Sequence, residues 1–326
     1  MCYFKVWCCY ENNQKNFLFI ITCLIFIVSF SLAIFDEVKE FNYETEILEQ
    51  EQTKCVNNDF PFDQVPAERL ADYKASIAEN CLNYSKLKHL KPSTINLFVN
   101  IMDNGHLTLL VYGTIFLVIL PSLLPICHFL KSKIIKFYCN RESYNTVLRD
   151  LFKKAYRYSW FIPLICLIAF IISYLVSGHF DNSYNFIFDN GLDDLCFKTS
   201  PFTFLITYLL NIYLYTLFLV NVGLIVARKN QNILVVLIES FLIFIGLDLL
   251  IEVVFNNILL ILIKVPFYHY DLLNYYKFRG LNSYLTSLIF TGFLSLSSGL
   301  IAYLVYKNKE KLFIDCDKSS KEKENL

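Results

Sequence analysis

The chain has 326 residues and no net charge at neutral pH, because 29 Lys and Arg balance 29 Asp and Glu. Hydrophobic residues make up 56% and charged residues 18%, against about 25% charge in an ordinary soluble domain. This composition excludes soluble, disordered and collagen-like chains, and the balanced charge gives no indication of nucleic-acid binding. It predicts an all-α polytopic membrane protein.

Six stretches contain the roughly 20 apolar residues that a helix needs to cross the hydrocarbon core of a bilayer. They are residues 17–35, 107–130, 160–177, 202–227, 233–263 and 284–306. The fifth is longer than one simple crossing, so we expect a break at the polar pair Asn256-Asn257. The first is either a retained signal-anchor or a signal peptide, because Ser31-Leu32-Ala33 resembles a cleavage site; its length favours the anchor.

The charges of the connecting segments predict the orientation. Residues 131–157 carry eight basic and two acidic residues, a net charge of +6. Residues 36–106 and 178–200 have net charges of −6 and −3, whereas residues 264–283 are mildly basic and depart from the trend. Because basic loops stay in the cytoplasm, both chain ends are predicted to be cytoplasmic, in the plasma membrane. The cytoplasmic segments are then 1–16, 131–159, 228–232 and 307–326, and the outer segments are 36–106, 178–201 and 264–283.

Residues 36–106 form the one outer segment that is large enough to fold by itself. Residues 37–53 predict an acidic helix, Pro61 and Pro66 interrupt the chain, and residues 67–90 predict a second helix. We therefore expect a small, mostly helical outer domain. Cys55 and Cys81 lie in it, where oxidising surroundings would permit a disulfide; the alternative is that both are ordinary small apolar residues.

The sequence contains no pattern typical of catalysis or of metal binding. Its 11 cysteines include no C-x-x-C pair, and its 5 histidines are scattered along the chain. It has no phosphate-binding loop, nucleophile elbow or dinucleotide-binding turn. We therefore expect no enzymatic activity, no catalytic residue, no metal and no cofactor.

Residues 144–157 predict an amphipathic helix that leads into the third span. Apolar side chains recur at helical spacing on one face, namely Tyr144, Val147, Leu148, Leu151, Phe152 and Ala155. The opposite face carries Arg149, Lys153 and Arg157, which lie four residues apart and would form one cationic ridge. Such a helix either lies on anionic lipid or docks with a cytoplasmic partner, and charge alone does not distinguish the two.

The fifth span contains three acids, Glu239, Asp248 and Glu252. An ionisable group inside a membrane is costly unless it faces a partner or a cavity, so these residues are candidates for a transport pathway. Asp248 and Glu252 share a helix face, while Glu239 projects about 140° away from Glu252. We expect the pair to face the protein interior or a wet cavity. The alternatives are an interfacial position for Glu252 and a structural pairing of Asp248 with another span.

Taken together, this layout resembles the membrane subunit of an ABC-2-type ABC transporter. Members of that family have six spans, cytoplasmic ends, a basic amphipathic coupling helix between spans two and three, and a broken or re-entrant segment after span five. Here residues 144–157 correspond to the coupling helix and residues 256–270 to the broken segment. The outer segment 36–106 is larger than in the simplest members, and no clear amphipathic helix precedes the first span.

The resemblance implies a transport permease, usually an exporter, that is driven by a separate cytoplasmic ATPase. Two permease subunits, identical or different, would form the pathway through the lipid bilayer. The ATPase would contact the basic helix, with coupling candidates Arg149, Leu151, Phe152, Lys153 and Arg157.

Two other functions remain open from the sequence. One is a non-transport membrane protein, receptor-like or an assembly or immunity factor, that binds a partner through its outer domain. The other is an ion-coupled transporter, which would need the three acids of the fifth span on one pathway.

Overall fold

A computed structural model describes residues 2–62, 66–89, 91–131, 134–181, 200–254, 272 and 284–308. These residues form α-helices joined by short turns, and no strand occurs among them. The helices are α1 (Cys2–Asn57), α2 (Leu70–Lys86), α3 (Thr94–Asp103), α4 (Gly105–Lys131), α5 (Ile134–Arg141), α6 (Tyr144–Tyr156), α7 (Phe161–Ser177), α8 (Pro201–Ala227), α9 (Ile233–Leu250) and α10 (Tyr284–Lys307). The predicted break at Asn256-Asn257 and the rest of the broken segment 256–270 lie outside the described residues.

Four helical stretches among the described residues are long and apolar enough to cross a membrane. They are Tyr144–Ser177, Pro201–Ala227, Ile233–Val254 and Ser287–Lys307. In the first of them, the apolar part follows the turn at residues 157–160 that separates α6 from α7. Many of their large apolar side chains are exposed on the protein surface, including Leu175, Phe202, Leu242 and Leu296, as expected of helices that face lipid.

Helix α1 is one continuous helix of 56 residues, about 84 Å long at 1.5 Å per residue. It covers both the predicted first span and the predicted acidic helix, because no Gly or Pro separates the two. The chain turns after Asn57, where Asn58 adopts a left-handed conformation with φ of 54°. Helix α2 then returns alongside α1. We call the end of α1 from residue 37 together with α2 the cap.

Helix α3 lies inside the bundle, although the sequence assigned residues 36–106 as a whole to the outer segment. Ser93 caps its first turn by accepting a hydrogen bond from the Asn96 backbone N–H. Eight of its ten residues are buried, and Phe98 contacts Phe170 of α7 and Tyr208 of α8 edge to face. The physical reason for the difference is that a short apolar helix can bury its backbone and side chains among neighbouring helices without crossing the bilayer.

Helix α8 is the centre of the bundle and packs against α4, α7, α9 and α10. Gly223 lets α4 approach closely, because a Cβ atom there would lie 2.3 Å from Leu123 Cδ1. Toward α10, α8 meets a row of small residues spaced four apart: Ser287, Thr291, Ser295 and Gly299. The Cβ atom of any residue at Gly299 would lie 3.3 Å from the amide nitrogen of Asn221. Small residues thus allow the three helices to pack tightly.

Residues 91–93, just before α3, and Thr94 at its start are bound to the end of α7. The backbone N–H and the hydroxyl of Thr94 both donate to the His179 carbonyl, at 3.0 and 2.6 Å. Ser177 Oγ donates to the Pro92 carbonyl at 2.8 Å. Gly178 ends α7 with φ of 78°, a left-handed conformation in which glycine has no Cβ penalty. We call the cap together with these contacts the cap end. Helix α6 lies at the opposite end of α7.

Candidate functional site

Helix α6 is amphipathic, as predicted. Ser143 caps it by accepting a hydrogen bond from the Thr146 backbone N–H. Its buried face consists of Val147, Leu148, Leu151 and Ala155. Its exposed face carries Arg149, Lys153, Lys154 and Arg157 together with Asp150. The helix therefore presents a mainly cationic surface away from the bundle.

The apolar face of α6 is covered by protein, although the sequence also allowed it to rest on the membrane surface. The Tyr144 hydroxyl donates to the Tyr306 carbonyl of α10. The Phe152 ring packs edge-on against the Tyr306 ring, with 5.8 Å between centroids. The Tyr156 hydroxyl donates to Asn221 Oδ1 of α8 at 2.6 Å. We call these contacts, with Tyr306 at their centre, the α6 junction.

Tyr306 also holds the ends of α8 and α10 together. Its side chain is fully buried, and its hydroxyl donates to the Leu224 carbonyl at 3.0 Å. The Arg228 guanidinium lies over the Tyr306 ring at 6.0 Å and donates through Nε to the Val305 carbonyl at 3.4 Å. Arg228 is itself buried, so its charge is held between an aromatic face and the Val305 carbonyl. A displacement of α6 would therefore also shift the ends of α8 and α10.

The coupling candidates occupy two different positions. Arg149, Lys153 and Arg157 are exposed on the ridge, where a partner can reach them. Leu151 is 5% exposed and belongs to the buried face, and Phe152 is half-buried against Tyr306. The structure thus places Leu151 and Phe152 where they hold α6 to the bundle, because the helical period turns them away from the cationic side.

A polar seam runs between α8 and α10. Asn211 donates to Ser287 Oγ at 2.7 Å and accepts from the Thr291 hydroxyl at 2.6 Å. Almost three turns further along, Asn221 donates to the Ser295 carbonyl and to Ser298 Oγ, each at 3.1 Å. Polar side chains that bind one another between membrane helices stabilise the helix pair. Sequence reasoning missed this seam, although the four-residue spacing of small polar residues on α10 was a signal.

The three acids of the fifth span are not brought together. Glu239 accepts hydrogen bonds from the Asn230 side chain at 2.6 Å, near the start of α9. Asp248 is 5% exposed and accepts from the Leu272 backbone N–H at 2.9 Å, while the Tyr215 hydroxyl donates to the Leu272 carbonyl at 2.8 Å. The expectation that Asp248 faces the interior fits the structure. Glu252 is exposed in the π-helical turn that follows the end of the α-helix at Leu250, and this exposure is compatible both with a wet cavity and with the interfacial position left open as the alternative.

The cap contains a disulfide, which was one of the two alternatives that the sequence allowed for its cysteines. Cys55 of α1 and Cys81 of α2 are bonded, with a Cα–Cα distance of 5.5 Å across 26 residues of sequence. Between the two helices lies an open groove of about 520 Å³ whose lining includes Glu51, Asp59, Tyr73 and Asn80. The disulfide joins two helices that otherwise share few contacts.

Two histidines meet at the cap end. The rings of His89 and His179 stack with 4.3 Å between centroids. His179 Nε2 lies 2.9 Å from the Lys91 carbonyl, and the Asp181 backbone N–H donates to His179 Nδ1 at 3.2 Å. An acceptor Nδ1 and a donor Nε2 define the neutral ring. Burial, and then the neighbouring His89, lower the pKa of His179 below its ordinary value.

The fold and these contacts define an all-helical integral membrane protein with a buried polar seam and a cationic helix anchored at one end. Among the described residues, no cluster of three or more His, Cys, Asp or Glu side chains is arranged to hold a metal ion. No protein family, curated protein or solved structure matches this chain. Its function must therefore be argued from the residues themselves.

Proposed function

We propose that the chain is the permease subunit of a transporter that a separate cytoplasmic ATPase drives. The observation that carries this proposal is the α6 junction. An exposed cationic ridge is attached through Phe152 and Tyr156 to the two helices, α8 and α10, that share the most extensive interface in the bundle. A protein that binds the ridge and moves it would thereby shift transmembrane helices. Transmission of this kind requires packed elements rather than a flexible tether.

The proposal includes six spans with both chain ends in the cytoplasm. Helices α1 and α4 contain the predicted spans 17–35 and 107–130, which would add two crossings to the four helical stretches above. The basic segment 131–157 would then face the cytoplasm and the cap the outside. A membrane-impermeant maleimide added to intact cells after mild reduction should label Cys55 and Cys81 and should not reach Cys139. Labelling of Cys139 from outside would reverse the orientation.

The ATPase is tested by purification in a gentle detergent. An ATPase should co-purify with the wild-type chain, and the double charge reversal Arg149→Glu with Lys153→Glu should release it. Both side chains are exposed, so this variant should fold normally. The control is Lys229→Glu, which reverses an exposed charge next to α8 but away from the ridge.

Two results would contradict the proposal. One is the absence of any ATPase from the wild-type preparation. The other is an equal loss of the ATPase from the Lys229→Glu variant, which would indicate that the ATPase is held by general charge attraction. A shuffled variant, Arg149→Lys with Lys153→Arg, separates shape from charge: attraction to lipid should tolerate it, whereas docking into a fitted cleft should not.

A second candidate function is favoured by the cap. A disulfide-linked pair of helices with an open groove is a rigid outer surface that could bind a partner protein. In that case the substitution Tyr73→Glu in the groove should abolish function while no ATPase is ever recovered. Under the permease proposal the same substitution should leave the ATPase bound.

A further inference from the structure

One short sequence in the cap has no role in the functions proposed above. Asn83, Tyr84 and Ser85 have the form Asn-x-Ser, which is the acceptor pattern for N-linked glycosylation. No other asparagine among the 326 residues is followed two positions later by serine or threonine. A pattern of three residues also occurs by chance, so its surroundings in the fold decide whether an enzyme can use it.

The disulfide of the cap indicates the compartment that this sequence enters. Cys81 lies two residues before Asn83, and its bond to Cys55 joins α2 to α1. Disulfides form and persist in oxidising compartments such as the lumen of the endoplasmic reticulum. In eukaryotic cells, N-linked sugars are attached in that same lumen. A cap that acquires this disulfide there is therefore also exposed to the glycosylating enzyme.

The acceptor sequence lies in the last turn of α2, where the helix opens most easily. Helix α2 ends at Lys86, and the backbone of Leu87 is extended. The last four carbonyl groups of a helix have no partner further along it, so helix ends fray. Acceptor sequences are typical of surface loops, and residues 83–85 can adopt an open conformation without unfolding the turn that contains Cys81.

Asn83 lies on the flank of α2, away from the residues that pack toward α1. Tyr73, Ile77, Cys81 and Tyr84 line the groove between the two helices. At 100° per residue, Asn83 is turned about 100° from Tyr84 and about 160° from Cys81. Its side chain is half-exposed, and among the described residues its amide group makes no hydrogen bond. A sugar attached there would extend into solvent and would leave α1 and the disulfide in place.

The acceptor sequence is also held away from the bilayer. Helix α1 continues without a break from residue 35, the end of the predicted first span, to Cys55, which is about 30 Å along its axis. The disulfide fixes Cys81 at the level of Cys55, with 5.5 Å between their Cα atoms, and Asn83 follows two residues later. The enzyme that transfers the sugar therefore has room between the acceptor sequence and the membrane surface.

We propose that Asn83 is a site of N-linked glycosylation. In the transfer, Nδ2 of Asn83 forms a bond to the anomeric carbon of the sugar, and the amide group loses one proton. The bond between that carbon and the diphosphate of a lipid-linked oligosaccharide breaks, and the lipid diphosphate leaves with the electron pair. This inference rests on the outer orientation of the cap in the proposed function and is independent of the ATPase.

The full-length chain, expressed in eukaryotic cells and recovered from their membranes, tests the site. Treatment with peptide N-glycosidase should increase its gel mobility. In heavy-oxygen water the same treatment should convert Asn83 to an isotopically labelled aspartate, which mass spectrometry detects. Asn83→Gln and Ser85→Ala should each abolish the shift. Ser85→Thr keeps the hydroxyl of the acceptor pattern and should retain it, which separates loss of the pattern from a change in folding.

Two new acceptor sequences, each combined with Asn83→Gln, separate this inference from the orientation on which it rests. Lys74→Asn places an asparagine two residues before Ser76, on an exposed part of α2. Arg141→Asn places one two residues before Ser143, at the exposed end of α5 just before α6. With the cap outside and α6 in the cytoplasm, we expect the Lys74→Asn variant to be glycosylated and the Arg141→Asn variant to remain unmodified.

Each contrary result has a distinct meaning. Glycosylation of the Lys74→Asn variant but not of the wild type would overturn the inference and leave the outer orientation standing. Glycosylation of the Arg141→Asn variant would overturn both, because α6 would then lie outside. If neither the wild type nor any variant carries a sugar, the cap does not reach the glycosylating enzyme and the inference fails. A shift that survives Asn83→Gln would place the sugar at another residue and would contradict it equally.

Discussion

The α6 junction and the cap end hold their segments to the bundle with different side chains. At the α6 junction, Tyr144, Phe152 and Tyr156 contact α8 and α10 through rings and hydroxyl groups, and Tyr306 is fully buried among them. The cap end instead relies on the Cys55–Cys81 disulfide and on the stacked rings of His89 and His179. Aromatic packing holds one end to the bundle. The other end is held by a disulfide, which can be reduced, and by histidine rings, which can gain a proton.

This difference indicates how each end would respond to its surroundings. Phenol rings and an arginine keep the same charge across the physiological pH range. The contacts of the α6 junction therefore persist under ordinary conditions and can transmit force. A disulfide can be reduced, and a histidine gains a proton near neutral pH. The cap end is therefore the part of the described structure that reducing agents or acid can loosen. The predictions below test this contrast, beginning with the largest expected effect.

Removal of the Tyr306 ring should disrupt the α6 junction. Tyr306→Ala deletes a fully buried aromatic side chain with its contacts to Phe152, Leu224 and Arg228, so we expect a loss of about 3–5 kcal/mol in the free energy of unfolding. Tyr306→Phe loses only one hydrogen bond and should cost about 1 kcal/mol. Denaturant unfolding in mixed micelles measures both. Equal stability of the two variants would mean that α6 is not held by this ring.

Loss of the disulfide should affect the cap and leave the α6 junction intact. Cys55→Ser opens a loop of 26 residues, which should destabilise the cap by roughly 3 kcal/mol through the greater freedom of the unfolded loop. Proteolytic nicking in residues 58–69 should increase, while cleavage in α6 should not. Cys139→Ser, which lies outside the cap, is the control. An unchanged non-reducing gel mobility in Cys55→Ser, with a free-thiol count that falls by one instead of rising by one, would show that the bond does not form.

The buried acid of the fifth span should behave independently of both ends. Asp248→Ala removes the acceptor for the Leu272 N–H, and an unsatisfied buried donor costs about 1–3 kcal/mol. Asp248→Asn keeps an acceptor oxygen and should preserve this anchor. Transport assays then separate two roles. An anchoring role predicts normal transport in Asp248→Asn. A role on an ion pathway predicts that this variant folds but does not transport.

The apolar pattern was sufficient to predict most of the helices. Runs of about 20 apolar residues predicted the four helical stretches that are long and apolar enough to cross a membrane, and the helical period at residues 144–157 predicted the two faces of α6. It did not predict the position of α3, because residues 95–102 are apolar but too few to cross a bilayer. A run of that length is compatible with an outer helix as well as with a buried one, and only its packing on α7 and α8 decides.

The candidate site could be predicted only on its exposed side. The charges of Arg149, Lys153 and Arg157 follow directly from the helical period. The partner of the opposite face does not, because periodicity indicates that Phe152 is on an inward face without indicating that it meets Tyr306, more than 150 residues later. The same limit applies to Asp248, whose partner is a backbone group at Leu272. Contacts between distant parts of the chain depend on the fold as a whole.

The smallest expected effect is a pH response at the cap end. The folded chain holds His179 in its neutral form, because Nδ1 accepts from Asp181 N–H and the ring stacks on His89. A proton on Nδ1 would face that N–H; the Asp181 carboxylate favours the proton by more than the Lys91 charge disfavours it, but burial and then the neighbouring His89 oppose it more strongly. Burial lowers the pKa of His179 from its ordinary value of 6.5. The contribution of the neutral ring is therefore complete above pH 6.5 and is lost as the pH falls below it.

Hydrogen exchange of the Thr94 amide reports this loss, since Thr94 N–H is bound to the His179 carbonyl. After correction for intrinsic exchange, protection in the wild type should be constant from pH 7.5 to pH 6.5 and should fall below pH 6.5. The change should be modest, because both rings are partly exposed and solvent screens their charges. His179→Gln, which keeps one donor and one acceptor, should show no such fall. His106→Gln, which removes the ring that contacts Asp36 at 3.0 Å, is the control and should leave the fall in Thr94 protection unchanged. If His179→Gln loses protection over the same pH range as the wild type, the response arises elsewhere, and the cap end differs from the α6 junction by its disulfide alone.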